Sequence, residues 1–327
     1  MSQQLLDNPV HAALRDRLGA LARRFSHSDE ADDVFARDDL HVVTGFGPTN
    51  APTAGTLSVM LGAVELQRHL NVPMTVVISE LGAWNSRNVP WVQLETCRDQ
   101  MLTFMRALGF DEARGVLRSH LDPGNLVRAG KIARFLSRQD FLDHREDLLE
   151  LYADHGLLGS EVGLTVDALY TVADVLEPAD AGAGSILMVS GVEEAYFTEL
   201  ARLVLARQAV AGELTLQWQS IIGALYFRVL PGLGGYPKMS KSIPASSIHL
   251  AMPADVLHER ICSAAPADQA PLLAAIELAS GWSQDDLVAA RHAYVARDQQ
   301  PATWRRAQQR YLETFLTFAE TWRRSAP

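Results

Sequence analysis

Cysteine, lysine and long apolar runs are scarce in this sequence of 327 residues. The two cysteines, Cys97 and Cys262, have no metal-ligand spacing around them, so we predict two reduced core thiols rather than a disulfide or a metal site. No apolar run reaches the length of a membrane-spanning helix, and residues 1–25 lack the apolar stretch of a secretion signal. These absences predict a soluble, cytoplasmic protein with no membrane partner.

Positive charge is supplied almost entirely by arginine. All but three of the 29 basic residues are arginine, and the three lysines are Lys131, Lys238 and Lys241. Acidic residues number 39, and the net charge of −10 argues against broad, charge-driven binding of nucleic acid while leaving a local basic patch open. Codon composition can explain the arginine bias, but two lysines three residues apart then become a candidate functional feature.

Four short runs of apolar and β-branched residues alternate with patterns of helical spacing. Such runs are typical of buried strands, and their alternation with helices is typical of parallel βαβ units. The sequence therefore predicts an α/β fold with a Rossmann-like parallel sheet. The predicted strands cover residues 40–46, 74–80, 115–121 and 185–191.

We predict three parts along the chain. Residues 1–39 form an N-terminal helical extension, and residues 40–235 form a Rossmann-like domain with a helical insertion at about 122–162. Residues 236–327 form a helical C-terminal domain that begins with the lysine loop. Its aromatic residues have helical spacing, which favours an amphipathic helix facing a core over an RNA-binding surface. They are Trp304, Tyr311, Phe315, Phe318 and Trp322.

The loop after the first predicted strand, GPTNAPTAGT, is a candidate anion site. Thr53 is a natural N-cap for a helix beginning near Ala54, and a helix N-terminus favours anions. Gly55 would let a ligand approach the backbone closely. The spacing matches neither a GxGxxG nor a Walker loop, so an ordinary strand-to-helix turn explains it equally well.

The second candidate is the stretch PGLGGYPKMSKS, which contains Lys238 and Lys241. Lysine is a compact charge on a flexible stem, and two lysines in a Gly/Ser loop can follow a phosphate chain as its charge moves. Ser240 and Ser242 add hydroxyl and backbone donors. A solvated basic loop is the alternative, and the arginine bias argues against it.

These stretches resemble the signatures of class I aminoacyl-tRNA synthetases. KMSKS is identical to the signature loop of that class, and PTNAPTAGT resembles its companion nucleotide-binding signature with the spacing of tryptophanyl-tRNA synthetases. LTVDALYTVADVL and VSGVEEAYFTELAR resemble that family's amino-acid-binding segments. The resemblance covers residues 40–260 and implies a ligase of the tryptophanyl/tyrosyl type. Such a ligase uses ATP and Mg²⁺ to form an aminoacyl-adenylate.

The resemblance also implies roles for individual residues. Lys238, Lys241, Thr53 and Thr56 would act on the phosphates, and none would hold a metal. Nucleotide contacts would come from Gly45, Gly47, Pro48, Thr49, Gly55, Gly191, Glu193, Met239, Ser240 and Ser242. The amino acid would contact Phe46, Glu80, Asp167, Thr171, Asp174 and Glu194.

Several positions depart from the family's pattern. Thr56 stands where histidine or asparagine is usual, Asp167 replaces tyrosine, and Thr171 and Glu194 replace glutamine. With Asp174, these replacements predict an unusually acidic pocket, in which unpaired carboxylates would raise one another's pKa. We therefore expect a substrate with an aromatic or donor-bearing side chain, and extra donors or a positive charge would relieve the repulsion.

The acceptor of the activated amino acid stays open. The family's dimer contact corresponds to about residues 122–162, so a homodimer is expected. The region after Ser242 is short for an anticodon-binding domain, which makes tRNA doubtful. A paralogue that joins the amino acid to a small amine is one alternative. A catalytically silent binding relative is another, and the intact lysine loop argues against it.

Overall fold

The computed structural model describes residues 9–87, 89–143, 160–241 and 243–327. The chain divides into two compact units. Unit 1 comprises Met1–Thr49, Glu65–Arg98 and Phe110–Arg228, and unit 2 comprises Asn50–Val64, Asp99–Gly109 and Val229–Pro327.

A six-stranded sheet forms the centre of unit 1. Its strand order is β1-β6-β5-β2-β3-β4, and only β1 runs antiparallel to its neighbour. The predicted α/β fold with a Rossmann-like parallel sheet is therefore confirmed. The strands are β1 (Phe25–Asp29), β2 (Leu40–Phe46), β3 (Met74–Ile78), β4 (Gly115–Ser119), β5 (Ser185–Gly191) and β6 (Ile221–Phe227).

Helices surround the sheet in unit 1 and make up most of unit 2. None of the described helices combines the length and the hydropathy needed to cross a membrane. In chain order they are α1 (Ala12–Leu18), α2 (Ala31–Phe35), α3 (Ala54–Leu70), α4 (Glu80–Arg87), α5 (Trp91–Ala107), α6 (Pro123–Ile132), α7 (Arg138–Asp143), α8 (Glu161–Val175), α9 (Glu177–Asp180), α10 (Ala195–Ala209), α11 (Ala254–Cys262), α12 (Gln269–Ala279), α13 (Gln284–Val295) and α14 (Pro301–Arg324). Short 3-10 helices cover Gly19–Arg24, Ala133–Phe135, Val192–Glu194, Gly212–Leu214, Leu233–Gly235, Pro244–Ser246 and Pro266–Asp268.

Local sequence signals explain where two helices of unit 1 begin. Asp122 caps α6 by accepting a hydrogen bond from the Gly124 amide at 2.8 Å, and proline occupies the first turn. Ser160 caps α8 by accepting from the Gly163 amide at 3.2 Å. Both caps satisfy amide groups that the first turn of a helix leaves without a partner.

Two strands were not predicted from the sequence. β1 lies where helix and a charged connector were expected, and its Phe25 stacks on Phe227 of β6 with ring centroids 5.0 Å apart. β1 is polar at four of its five positions, and only Phe25 and Ser28 of this edge strand are buried. β6 is a continuous apolar run and almost entirely buried. The predicted helical insertion falls partly on residues 144–159, which lie outside the described residues.

The strand order changes direction between β2 and β5, where ligands bind in open α/β sheets. Pairing of these strands runs as far as Val43 and Met188. Both strands continue for three more residues, to Phe46 and Gly191. The strands therefore part at their carboxyl ends and leave a crevice in unit 1.

In unit 2, α14 supplies the core with aromatic side chains. Trp304, Tyr311, Phe315 and Trp322 are buried, as the amphipathic pattern predicts, whereas Phe318 is only half-buried. Trp322 meets the ring of Phe104 edge to face, at a centroid distance of 5.5 Å. The helix is therefore a structural element of unit 2, with its polar side facing solvent.

Candidate functional site

The loop that precedes α3 ends in a well-formed helix cap within unit 2. Thr53 is buried, and its Oγ1 accepts a hydrogen bond from the Thr56 amide at 3.2 Å. The hydroxyls of Thr53 and Thr56 are 3.4 Å apart. The N-cap predicted at Thr53 is confirmed. The positive end of the α3 dipole therefore coincides with the candidate anion site.

Backbone hydrogen bonds join this loop to the segment that follows the lysine loop. The Ala54 amide donates to the Ile248 carbonyl at 2.9 Å, and the Leu250 amide donates to the Pro52 carbonyl at 3.0 Å. Thr53 also forms an antiparallel bridge with His249. The two stretches that resemble the class I signatures, almost 200 residues apart in sequence, are therefore held together within unit 2.

Gly55 lies beside Met239 of the lysine loop. A Cβ placed on it would lie 3.7 Å from the Cβ and the carbonyl oxygen of Met239. That is an ordinary contact distance, so the fold itself does not require glycine here. An added methyl group would instead occupy space beside the lysine loop. This arrangement fits a nucleotide that approaches the backbone at Gly55.

The lysine loop begins with a glycine-dependent turn. Gly234 and Gly235 both have positive φ, at +64° and +80°, which explains their residue type. The Gly232 amide donates to the Tyr236 carbonyl at 2.9 Å, and the Met239 amide donates to the Leu230 carbonyl at 3.1 Å. The turn therefore fixes the direction in which the chain enters KMSKS.

Buried serines anchor the far side of this loop. The Ser246 hydroxyl accepts from the Ser240 amide at 3.0 Å and donates to the Ile243 carbonyl at 2.7 Å. Ser240 and Ser246 are buried, whereas Lys238 and Lys241 are half-buried. The serine backbone is thus fixed while both lysines retain exposed surface. Ser242, which the sequence also assigns to this site, lies outside the described residues.

In unit 1, the ends of β2 and β5 carry the other predicted nucleotide contacts. Gly45, Phe46 and Gly47 follow one another at the end of β2, and Gly191 ends β5. A Cβ on Gly191 would lie 2.5 Å from Glu193 Oε2, so the Glu193 carboxylate covers the Gly191 backbone. The same end of β2 continues into Pro48, which is buried, and Thr49, which is half-buried.

Glu80, the first residue of α4, is a fully buried carboxylate at the end of β3. Its Oε1 accepts from the Ser119 hydroxyl at 2.7 Å and from Arg98 Nη1 at 3.2 Å. Its Oε2 accepts from the His120 amide at 3.2 Å. Glu80 therefore ties β3 to the end of β4, and a direct contact with substrate stays a prediction.

Asp174, on α8, is paired on both oxygens. Its Oδ1 forms an ion pair with Arg118 Nη1 at 2.7 Å, and its Oδ2 accepts from His120 Nδ1 at 2.6 Å. The side chain is 5% exposed. The expectation of unpaired carboxylates is wrong at this position, because the end of β4 supplies two cationic partners. Whether Asp174 contacts the substrate stays a prediction.

Arg118 and His120 carry the charges that balance this part of the cluster. Burial lowers the pKa of His120, but the carboxylates of Asp174, Asp167 and Glu80 raise it, and the net direction is upward. Burial likewise opposes the charge of Arg118, and Asp174 with Glu177 raises its pKa overall. Arg118 Nη2 also donates to Glu177 Oε2 at 2.8 Å. Both cations are thus stabilised in their charged forms.

Asp167 lies two helical turns before Asp174 on α8. The Ser79 hydroxyl donates to its Oδ1 at 3.3 Å, and His120 Nε2 is 3.8 Å from the same oxygen. A Cβ on Gly82 would lie 2.8 Å from that oxygen, so glycine makes room for the carboxylate. Asp167 therefore belongs to the same cluster as Asp174. Thr171 and Glu194 are half-buried.

Sequence reasoning missed Ser79, Arg118 and His120. All three lie at or next to the carboxyl ends of β3 and β4, where polar residues of a parallel sheet converge. That position was a usable signal, because the SH dipeptide lies at the carboxyl end of the strand predicted over residues 115–121. Among the described residues, no group of three or more histidine, cysteine, aspartate or glutamate side chains is arranged to hold a metal ion.

No family model matches the sequence, and no curated protein matches it significantly. Solved structures do match. The chain is similar to a tryptophanyl-tRNA synthetase from Encephalitozoon cuniculi bound to tryptophan, with a TM-score of 0.72 and 16% identity over 98% of this chain and 92% of that chain. For a tryptophanyl-tRNA synthetase from Giardia lamblia the TM-score is 0.69 and the identity 14%, over 98% and 90% of the two chains.

A tyrosyl-tRNA synthetase complexed with L-tyrosine, from Archaeoglobus fulgidus, matches with a TM-score of 0.70 and 17% identity. That match covers 95% of this chain and 99% of that chain. At such identities the likeness establishes architecture and not activity. The protein therefore has the class I fold of tryptophanyl- and tyrosyl-tRNA synthetases.

Proposed function

We propose that the protein is an adenylate-forming ligase that activates an amino acid with ATP and Mg²⁺. The observation that carries the proposal is the pairing of the α3 N-terminus with the segment after KMSKS, through bonds between Ala54 and Ile248 and between Pro52 and Leu250. This pairing brings a helix dipole and two lysines into one unit. Such a set of donors fits a triphosphate.

Bound ATP supplies the α-phosphorus that the amino-acid carboxylate attacks and the pyrophosphate that leaves, and Mg²⁺ neutralises part of the phosphate charge. Lys238 and Lys241 stabilise the charge that develops on the departing phosphates. The N-terminus of α3, capped by Thr53, orients the nucleotide, and Gly55 leaves room for it. Phosphoryl chemistry of this kind needs positioning and charge neutralisation rather than a covalent nucleophile on the protein.

The amino-acid side of the proposal rests on unit 1. The cluster around Asp167, Asp174 and Glu80 lies at the carboxyl ends of β3 and β4, at the same edge of the parallel sheet as the crevice between β2 and β5. Its carboxylates accept hydrogen bonds, so the ligand that it suits carries donors. The acceptor of the activated amino acid is tRNA or a small amine.

The resemblance to the synthetase family also supports a homodimer formed through the segment at about 122–162. Two valines at the described edges of that segment, Val127 and Val162, expose 60% and 73% of their surface. Exposed apolar side chains of this kind suit a surface that a second copy covers. We likewise propose a cytoplasmic location.

Amino-acid-dependent exchange of labelled pyrophosphate into ATP tests the proposal. The purified protein is incubated with each of the twenty standard amino acids in turn, with Mg²⁺ present. We expect exchange with a small subset of them and none without an amino acid. No exchange with any amino acid, from a protein that is folded by circular dichroism, would contradict adenylate formation. A wide preference for tryptophan would favour an ordinary tryptophanyl specificity over a changed pocket.

A further inference from the structure

A histidine lies between two aspartates of one helix in unit 1. Asp167 and Asp174 are seven residues apart on α8, which places them on the same face, about 10 Å apart along the axis. His120, from the end of β4, reaches towards both: Nδ1 is 2.6 Å from Asp174, and Nε2 is 3.8 Å from Asp167. The imidazole thus links two carboxylates that the helix alone would leave separate.

The two sides of this imidazole differ in their bonding. Nδ1 donates to Asp174, whereas the fully buried Nε2 has no hydrogen-bond partner in the described part of the chain. The 3.8 Å distance to Asp167 exceeds that of a hydrogen bond. Buried nitrogens without a partner are rare and call for an explanation. Here the neighbouring carboxylate is that of Asp167, whose Oδ1 lies 3.8 Å from Nε2.

Asp167 and Asp174 also differ in access. The Asp174 side chain is 5% exposed and paired on both oxygens, whereas the Asp167 side chain is 14% exposed. An incoming group can therefore reach Asp167 with less rearrangement. A carboxylate only accepts hydrogen bonds, so the group that it recognises is a donor, and a cationic donor binds most strongly.

We propose that Asp167 binds an ammonium group of the amino-acid substrate and that His120 is the positioning residue for Asp167. This inference rests on the proposed function, because it takes an amino acid as the ligand. His120, held by Asp174, attracts the Asp167 carboxylate from 3.8 Å, and the Ser79 hydroxyl donates to the same Oδ1. Specificity is thereby carried by the carboxylate nearer the start of α8, while Asp174 serves as the anchor of the imidazole.

The ammonium group can be the α-ammonium or a cationic side chain, and a ligand series separates the two. L-Lysine carries both groups, L-norleucine carries the α-ammonium alone, 6-aminohexanoate carries the side-chain ammonium alone, and hexanoate carries neither. L-Tryptophan and indole-3-propionate repeat the α-ammonium comparison with an aromatic side chain. Binding of each is measured by isothermal titration calorimetry without ATP, so that no turnover is needed.

The key variant is Asp167→Asn, with Asp180→Asn as the matched control. Asp180 is also on a helix of unit 1 and ion-paired, at 3.6 Å from Arg128, but it is not next to His120. We expect D167N to lose at least about 10-fold in affinity for the ligands that carry the recognised ammonium. Hexanoate and indole-3-propionate should bind D167N and the unchanged protein alike. D180N should match the unchanged protein throughout.

His120→Asn tests the positioning role. The ratio of affinities between an ammonium ligand and its counterpart without the ammonium should fall towards that of D167N. A histidine that only supported the fold would lower both affinities together and leave the ratio unchanged. That result, or equal losses for charged and uncharged ligands in D167N, would overturn the proposal. Absence of binding by every ligand of the series would overturn it as well.

Failure of this inference is distinguishable from failure of the proposed function. A selective loss in D167N without any pyrophosphate exchange would leave an ammonium site in a protein that forms no adenylate. Exchange without a selective loss would leave the ligase and remove Asp167 from substrate recognition.

Discussion

At the scale of single residues, the buried charge of Asp174 determines how much a substitution there changes the free energy of unfolding. Replacing it by asparagine leaves Arg118 and His120 without their carboxylate, in a place where water cannot compensate. We expect D174N to lower the free energy of unfolding by about 3–5 kcal/mol. Urea denaturation followed by circular dichroism measures it.

Asp180→Asn is the control for D174N, because its ion pair with Arg128 is longer and its side chain is 36% exposed. Loss of that pair should cost no more than about 1 kcal/mol. Equal midpoints for D174N and the unchanged protein would mean that the Arg118–Asp174–His120 arrangement contributes little to stability.

The raised pKa of His120 gives a pH dependence with a definite sign. A histidine whose folded pKa is raised contributes stability that is complete below its unfolded pKa of about 6.5. That contribution is lost as the pH rises through the folded pKa. We therefore expect the difference in unfolding free energy between the unchanged protein and His120→Gln to be largest below about pH 6.5 and to shrink at higher pH. Urea denaturation from about pH 5.5 to pH 9 tests it, and a constant difference would contradict it.

Lys241 is the residue whose loss should separate chemistry from binding. In the proposed reaction its charge acts on the phosphates and is needed more in the transition state than in the ground state. Lys241→Ala should reduce pyrophosphate exchange about 100-fold or more while amino-acid affinity stays nearly unchanged. Lys241→Arg should also be damaging, since a planar fork does not replace a point charge.

Lys131→Ala is the control for Lys241, since Lys131 lies exposed in the last turn of α6 in unit 1. Its loss should leave exchange unchanged. Comparable decreases in amino-acid affinity and exchange rate for Lys241→Ala would argue against a role on the phosphates.

At the scale of elements, the start of α3 offers a test that separates fold from function. A methyl group on Gly55 would make only ordinary contacts, at 3.5 Å from Thr53 Oγ1 and 3.7 Å from Met239. Gly55→Ala should therefore fold with unchanged or slightly higher stability. The same methyl group takes up the space that the nucleotide needs, so we expect the KM for ATP to rise at least about tenfold.

The matched control is Gly130→Ala, which also adds a methyl group within a helix. Nothing lies within 4 Å of that position. Exchange kinetics at varied ATP concentration, together with thermal melting, compare the two variants. A Gly55→Ala protein that melts normally and keeps its KM for ATP would exclude nucleotide contact at this position.

Prediction from the sequence succeeded where an element is defined by its own residues. The strands β2 and β5 begin and end where their apolar runs do, and Thr53 caps α3 as its residue type suggests. The sequence did not predict β1, because its pairing with β6, some 200 residues away, outweighs a local pattern that is mostly polar. β6 was also not predicted, but its continuous apolar run was a strand signal that the sequence did contain.

The candidate site divides in the same way. Candidate residues within the signature stretches could be named from the sequence, because the motifs are local and specific. The partners of Asp174 could not be named in this way, since Arg118 and His120 are more than 50 residues away in sequence. Only the fold brings the end of β4 next to Asp174 on α8. A motif identifies a position, whereas pairing across the fold decides whether the charge at that position is free.

At the scale of the whole molecule, charge bears on the choice of acceptor. The net charge of −10 gives no general attraction for RNA. On α14, Arg310 pairs with Asp286 at 2.6 Å, and Arg324 pairs with Glu320, so these arginines are partly neutralised. Chain length does not distinguish this protein from tRNA synthetases, because its match with the Archaeoglobus fulgidus tyrosyl-tRNA synthetase covers 99% of that chain. The case against tRNA therefore rests on charge and on the altered pocket.

We accordingly expect adenylate formation with weak or absent anticodon-dependent charging of tRNA. The proposed pocket departs from the family's pattern at Asp167, Thr171 and Glu194, and we expect it to suit a substrate other than tryptophan. A protein that does not charge tRNA could offer the same adenylate to another amine. The measurement is transfer of the labelled best substrate to total tRNA, run beside a mass-spectrometric search for amides with added small amines. Lys241→Ala serves as the control without adenylate. Efficient charging of one tRNA, sensitive to its anticodon, would rule out the amide-forming alternative. An amide that appears only with one amine and not with Lys241→Ala would establish it.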